Sequence, residues 1–321
     1  MFLNTNFPKA KKYWYEGKFY DWSEGGCHPT MHALHYGSCV FEGIRAYSTA
    51  KGPAVFRLPE HNDRLLLSGG VLKMKVPYTK EQITETIKQT IRENRLDSCY
   101  IRPLLFFSYG NLGLVPKACP VELAVFAWEW AAYLGENAAK GVHAYIIPSR
   151  RVHHTQFNMA AKLGGVYVQS TIAGLEAREK GCDEAIFLNM EGRIAEGPGQ
   201  NVFIVKGRTL FTNGRLESAL EGITRTSLLE IGADLGYKTV VGPITKADFF
   251  GADEAFYCGT AVEVIPITEV IDGSDTTAPP TTHTIGTGRP GPVARQLIKA
   301  FNEAVTGRDP RYEKWLTYVG K

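Results

Sequence analysis

The chain of 321 residues contains no C-x-x-C pair, and its six cysteines stand far apart at 27, 39, 99, 119, 182 and 258. That scattering excludes a disulfide frame or a cysteine zinc site and points to reduced thiols in a cytosolic protein. Charge of one sign is also scarce. Lys+Arg number 36 against 33 Asp+Glu, a net +3, which gives no reason to expect nucleic acid, since that partner needs a concentrated basic face. Long apolar runs are missing. The longest, Val121–Gly135, carries Glu122 and Glu129 and falls short of the ~20 residues a membrane span needs. The first residues, MFLNTNFPKAKKYWYEG, hold no apolar run long enough for a signal-peptide core. No G-x-S-x-G marks a serine hydrolase, no GK[ST] marks a phosphate-binding P-loop, and no internal repeat is visible. What is present is an ordinary globular composition, 44% apolar and 21% charged, too apolar for disorder. The length suggests two domains, each able to bury a core.

Local patterns place the elements. Tyr13–Trp22 alternates aromatic and polar residues around Glu16-Gly17, a hairpin signal. Val55–Leu58 reads as a strand, and Pro59–Leu67 as a helix with proline at its first position. Thr79–Leu96 is the clearest helix: Thr79 and Gln82 form a capping box, and Ile83, Ile87 and Ile91 recur every fourth residue. Tyr100–Phe107 and Val121–Trp128 are strands by their β-formers. The polar stretch 135–140 is the expected linker between a domain at 1–134 and another at 141–321. Beyond it we expect a strand at Val142–Pro148, a polar loop, and a helix from near Gly165 to Gly181. Short strands over 184–212 and a helix at Thr224–Leu235 closed by Gly236 should follow. A strand at Ala255–Val270, a Thr/Pro/Gly loop at Asp272–Pro292 and a final helix at Val293–Val305 complete the chain.

Two motif matches read as accidents. Gly286–Gly291 spells G-x-G-x-x-G, but a Thr/Pro loop precedes it and Pro290 lies within it, so no dinucleotide site is expected. His28, His32 and His35 sit at helical spacings without a carboxylate among them, and Pro29 disturbs the helix; packing and local hydrogen bonds are the favoured reading, and no metal is expected. Lys162 stands out. Its neighbours, Met159 to Tyr167, are small and apolar with no acid to pair it. Such a lysine is either a surface accident or a desolvated amine, which loses its proton easily and attacks carbonyls. Gly164 and Gly165 would let a large flat ligand approach the backbone. Gly222-Ile223-Thr224 begins a helix, where exposed N–H groups suit phosphate, although an ordinary capped helix is the commoner reading. Gly259-Thr260-Ala261 offers a second exposed turn. Glu196, in a tight Gly/Pro turn, is either solvated or able to hold a pyridine nitrogen protonated.

Taken in order, HALHYGSCVFEGIRAY (32–47), EHNDRL (60–65), YIRP (100–103), AAKLGG (160–165), AEGPGQN (195–201), EGITR (221–225) and GTAVE (259–263) resemble the branched-chain amino-acid aminotransferases. Those belong to the fold-type IV group of pyridoxal 5′-phosphate (PLP) enzymes. The order and spacing of the seven segments are far more specific than any one of them. The resemblance runs from about Tyr13 to the C-terminus. It implies a two-domain α/β and α+β fold, a small N-terminal α/β domain and a larger C-terminal pseudo-barrel, with PLP in the cleft between them.

The resemblance also implies roles. Lys162 is similar to the lysine that forms the Schiff base and carries the proton, and Glu196 to the carboxylate on the pyridine nitrogen. Tyr167 matches the tyrosine near the 3′-oxygen and Arg64 the phosphate arginine, with Ile223, Thr224 and Thr260 adding backbone N–H groups and Leu220 packing on the ring. Tyr36, Phe41, Gly43, Trp130 and Tyr133 would line the side-chain pocket. Tyr100 and the Thr260-Ala261 backbone would take the α-carboxylate, and Arg102 the distal carboxylate of glutamate or 2-oxoglutarate. Leu114 matches a loop residue that reaches a neighbouring subunit, so a homodimer is the expected minimum. The implied activity is transamination of L-leucine, L-isoleucine and L-valine with 2-oxoglutarate. Its rivals are D-amino-acid or (R)-amine transamination, aminodeoxychorismate lysis, and a non-catalytic binding protein of the same fold. The chain departs from the common pattern in its loop HHTQFNMAAK, in Val166, in Glu221 where proline is common, and in Gln200 where glutamate is frequent.

Overall fold

A computed structural model describes residues 7–130 and 140–320. They form two compact units. The first comprises Met1–Ala131, Ala161–Gly165 and Glu303–Lys321; the second comprises Ala132–Ala160 and Val166–Asn302. The expected two-domain architecture is therefore present, but a linear division is not. The short segment around Lys162 and the C-terminal residues cluster with the first unit, because Val40 bridges Leu163 and the strand Leu316–Tyr318 pairs with Gly52–Phe56. Most of the expected linker, and Tyr133 with it, lies outside the described residues.

The first unit is built on an eight-stranded sheet. Its order is Leu316–Tyr318, Gly52–Phe56, Ile44–Thr49, Cys99–Phe107, Val121–Trp128, Lys12–Tyr15 and Lys18–Asp21, and Cys39–Phe41 also pairs with Cys99–Phe107. The aromatic hairpin forms as read, with Glu16 and Gly17 both at positive φ in its two-residue turn. The helix Lys80–Asn94 carries both hydrogen bonds of the Thr79/Gln82 capping box, and Ile83, Ile87 and Ile91 are fully buried. The helix Leu58–Val71 begins with Pro59 in its first turn and buries Leu58, His61, Leu65 and Ser68 along one face.

The second unit also holds an eight-stranded sheet, mixed parallel and antiparallel. Its order is Lys238–Val241, Thr209–Thr212, Asn201–Lys206, Glu254–Gly259, Glu263–Asp272, Val142–Arg150 and Glu184–Leu188. The helix Tyr167–Glu179 buries Ala173 and Ala177 in a cluster with Tyr145, Ile147 and Phe187. The single strand expected over Ala255–Val270 is two antiparallel strands, Glu254–Gly259 and Glu263–Asp272, with Glu263 at positive φ after the Thr260–Val262 turn. The loop expected over 272–292 contains an edge strand, Thr281–Thr284, paired to Glu263–Asp272. Threonine's β-branched side chain favours that state. After it, the glycines of 286–291 lead into the helix Pro292–Val305. There Glu254 accepts hydrogen bonds from the N–H groups of Val293 and Ala294 at 2.9 and 2.8 Å, so the chain's own carboxylate occupies the helix start. Among the described residues no helix is long and apolar enough to cross a membrane.

Candidate active site

In the first unit, residues 161–165 run beside the strand Cys39–Phe41. Lys162 N–H donates to Ser68 Oγ at 2.9 Å, and Lys162 C=O accepts from Phe41 N–H at 3.3 Å. The Lys162 Nζ lies 4.8 Å from the centroid of the Phe41 ring, within cation–π range when protonated. The two glycines after Lys162 are also places of close approach within the chain. A Cβ on Gly164 would run into Cys39 Sγ, and Gly165 N–H donates to Gly37 C=O at 3.1 Å. They let two stretches of this chain meet, with Gly37 itself left-handed at φ 61°.

Arg64 projects from the Leu58–Val71 helix toward Glu42. Its Nε and Nη2 donate to the two Glu42 oxygens at 2.6 and 2.9 Å, a bidentate fork. His61 Nδ1 donates to Glu42 Oε2 at 2.7 Å. Burial by itself would raise the Glu42 carboxyl, but the Arg64 charge and both hydrogen-bonding partners hold it well below the usual carboxylate range. Burial also lowers the imidazole of His61, outweighing Glu42, so His61 is neutral near pH 7. The sequence reading missed Glu42. It lies within a quoted segment, but nothing local shows that Arg64, 22 positions on, will turn to it.

Several predicted substrate residues gather at one end of the central strands. Tyr100 and Arg102 share a face of Cys99–Phe107, and Arg102 Nη2 donates to the Tyr100 hydroxyl at 2.8 Å. The Arg102 guanidinium lies 4.7 Å from the Phe41 ring centroid, and Tyr100 stacks on Trp130 at 4.8 Å. Gly43 closes against them, because the Tyr100 hydroxyl fills the space a Cβ would need. Arg102 Nε is buried and has no hydrogen-bond partner among the described residues. Tyr36 donates to the Leu112 carbonyl at 2.8 Å, and Leu114 in the same loop is 76% exposed. The three histidines find separate partners: His28 with Thr30, His32 with Ser38 and, 81 positions on, Gly113, and His35 with the Pro29 carbonyl.

In the second unit Glu196 is buried, not solvated. Its Oε1 accepts from Arg151 Nε at 2.9 Å and its Oε2 from Leu220 N–H at 2.9 Å. Arg151, read as part of a polar loop, is itself buried and stacks over Phe187. It also reaches Gln169 and Ser170 on the helix that opens with Tyr167. Asn201 ties the next loop: its Nδ2 donates to Leu220 C=O at 2.6 Å and its Oδ1 accepts from Gly222 N–H at 3.2 Å. Cys258 pairs with Asn201, and Gly259 packs on Gly199, so Glu196, Leu220, Ile223, Thr224, Thr260 and Ala261 converge at one end of this sheet. The Ile223–Asp234 helix has no side-chain cap at Gly222, leaving its first-turn N–H groups suited to an anion.

Two departures from the family pattern have local partners. Gln200 Nε2 donates to Glu184 Oε2 at 2.7 Å, and Glu221 pairs with Arg215 at 3.0 Å. A glutamate at 200 would put two carboxylates together in a buried place. Burial raises the Glu184 carboxyl above its ordinary value, more than the Ala185 N–H and Gln200 lower it. A cavity of about 640 Å³ in the first unit, among Tyr13, Trp22, Met31 and Phe126, holds none of the predicted site residues; nor does one of about 890 Å³ in the second, around His154, Met159 and Leu216.

The donor set fits PLP. A phosphate dianion needs a cation and backbone amides, a ring nitrogen needs a buried acceptor, and an aldehyde needs an amine. Groups of these kinds are present: a cation and an amine, Arg64 and Lys162, in the first unit, and a buried carboxylate, Glu196, and an uncapped helix start at Ile223 in the second. The comparisons with known proteins agree. Residues 39–270 match the family Amino-transferase class IV. The chain is 41% identical over 307 residues to a branched-chain-amino-acid aminotransferase of Pseudomonas aeruginosa, covering 95% of this chain and 96% of the relative. It is 37% identical over 315 residues to that of Escherichia coli, covering 98% and 99%. Among solved structures, the crystal structure of the Escherichia coli branched-chain amino acid aminotransferase matches with a TM-score of 0.90 at 36% identity, over 97% of this chain and 100% of that one. That of the Thermobaculum terrenum enzyme in its PLP form matches with a TM-score of 0.87 at 31% identity, over 97% and 99%. A family match over most of the chain, near-complete relatives and the donor set lead to one conclusion: this chain belongs to the branched-chain-amino-acid aminotransferases of the class IV, fold-type IV family of PLP enzymes.

Proposed function

We propose that the chain transfers the amino group of L-leucine, L-isoleucine and L-valine to 2-oxoglutarate, giving branched 2-oxo acids and L-glutamate. The observation that carries this reading is Arg102: a guanidinium over the rings of Phe41 and Tyr100, the latter stacked on Trp130, with a buried Nε that has no acceptor among the described residues. The aromatic surfaces accept an aliphatic side chain, and the guanidinium accepts a distal carboxylate in turn. PLP, when bound, supplies the electron sink that makes the substrate Cα–H acidic. Lys162 would bond the cofactor carbonyl and, once displaced by substrate, move the proton at Cα as base and then as acid. Glu196, oriented by Arg151 and Leu220 N–H, would hold the ring nitrogen protonated. Arg64, with the N–H groups of Ile223, Thr224 and Thr260, would bind the phosphate. Tyr167 would stand by the 3′-oxygen and Leu220 against the ring. Tyr36, Gly43 and Ala261, with Tyr133, complete the substrate set. A cytoplasmic homodimer is the expected unit, a reading supported by the exposure of Leu112 and Leu114.

Initial rates on a panel of L-amino acids, D-amino acids and (R)-1-phenylethylamine test the assignment. Rates concentrated on the three branched L-amino acids with 2-oxoglutarate support it. Preferred turnover of D-amino acids or the (R)-amine would replace it.

A further inference from the structure

We infer that Ser68 is a positioning residue that fixes the Lys162 amine in register with the Arg64 guanidinium. Ser68 is fully buried. A hydroxyl has one proton to give and two lone pairs to receive with. Ser68 Oγ donates to Arg64 C=O at 2.7 Å and accepts from Lys162 N–H at 2.9 Å. The same oxygen therefore touches the backbone of both residues assigned to the two ends of the cofactor. Arg64 and Ser68 are one helical turn apart on Leu58–Val71, so they move as one body. The segment 161–165 has no regular structure of its own beyond its turn. It is held by the Val40–Leu163 bridge, by Phe41 N–H on Lys162 C=O, by Gly165 N–H on Gly37 C=O and by this hydroxyl. The first three tie it to the 37–41 stretch, and the hydroxyl ties it to the Arg64 helix. Removing the hydroxyl takes away this direct bond between the Lys162 backbone and the element that carries Arg64.

The inference rests on Lys162 being the cofactor's amine, and the test keeps the two apart. The apo-chain and its Ser68→Ala variant are titrated with two ligands of the same ring and phosphate. PLP has an aldehyde that must meet the amine; pyridoxamine 5′-phosphate has none. Loss of registration weakens PLP binding by about tenfold while leaving pyridoxamine 5′-phosphate within about twofold. Unchanged binding of both overturns the inference. So does an equal loss of both, which would make Ser68 a support of the fold alone. Should Ser68→Ala fail to fold, amide hydrogen exchange of the unaltered apo-chain decides. Protection of Lys162 N–H as strong as that of the Leu58–Val71 helix supports the tie, and exchange at the rate of an open loop overturns it. Lys162→Ala reports on the underlying reading. If that variant still develops the yellow absorbance with PLP, Lys162 is not the amine, whatever Ser68 does.

Discussion

The first unit presents its chemistry on side chains: the Lys162 amine, the Arg64 and Arg102 guanidiniums, and the Tyr100 phenol. In the second, apart from the Glu196 carboxylate and the side chains of Tyr167 and Leu220, the proposed groups are backbone N–H donors at the start of the Ile223–Asp234 helix and in the turn after Glu254–Gly259. The supports differ as well. Arg64 is aimed by a charge, Glu42, whereas the Leu220–Gly222 loop is held by the neutral amide of Asn201 as well as by the Glu196 carboxylate on Leu220 N–H. Side-chain groups can be deleted by one substitution, but a backbone N–H survives every substitution except proline. The two units should therefore differ in mutational sensitivity.

The largest effect should come from the first unit. Lys162→Ala should fold normally and lose turnover by roughly 10⁴-fold or more, since both the bond-forming amine and the proton carrier go at once. Steady-state assay with circular dichroism as the folding control measures this, and near-normal turnover would break the comparison at its strongest point. Arg102→Met comes next. Losing a charge-assisted pair with the distal carboxylate costs about 2–5 kcal/mol, roughly 30-fold to several thousand-fold in rate. That loss should fall on the 2-oxoglutarate half-reaction, with the leucine half nearly unchanged. Stopped-flow absorbance separates the halves, and equal losses would place Arg102 at the α-carboxylate or in the fold.

A third contrast concerns stability. The carboxyl of Glu42 is held low, so its contribution is present above the unfolded-state pKa of about 4.3 and is lost as pH falls. The carboxyl of Glu184 is raised, so the native state binds the proton more tightly and stability is lost as pH rises above that same value. Glu42→Gln should then be most destabilised near neutral pH, by about 3–5 kcal/mol because Arg64 loses a buried partner, with the gap closing in acid. Glu184→Gln should gain on the parent chain as pH rises. Melting temperatures of the three chains from about pH 2 to pH 8 give both slopes, Glu42 below about pH 4.3 and Glu184 above it, and slopes of the same sign would refute the contrast. The smallest effect belongs to Thr224→Ala. The helix-start N–H remains, so PLP affinity should change by less than about threefold, measured by equilibrium titration. A loss of a hundredfold would mean that the Thr224 side chain, not its backbone, binds the phosphate.

What the sequence made legible was whatever is local or strongly typed. The Thr79 capping box, the Glu16-Gly17 turn and the isolation of Lys162 all depend on neighbours within a few residues, and the first two are found as read. The pairings that aim the site were not legible. Glu42 meets Arg64 across 22 positions, Glu196 meets Arg151 across 45 and Ser68 meets Lys162 across 94. No periodicity records such distances; only the fold creates them. Gly164 shows the same limit from another side. A glycine announces that something comes close, and here the visitor is Cys39 of the same chain. The strand at Thr281–Thr284 was hidden because proline and glycine on either side dominate the local signal.

The glycine-rich run before the last helix has a consequence of its own. The Glu254 carboxylate sits on the amides of Val293 and Ala294, and a Cβ on Gly291 would collide with it. The loop therefore works as a receptor whose ligand is covalently attached. A free anion arriving there would compete against a tether whose effective concentration is set by the fold and does not fall on dilution. Vacancy at that helix start is thus a matter of unfolding rather than of ligand supply, and the motif is insulated from the phosphate compounds around it.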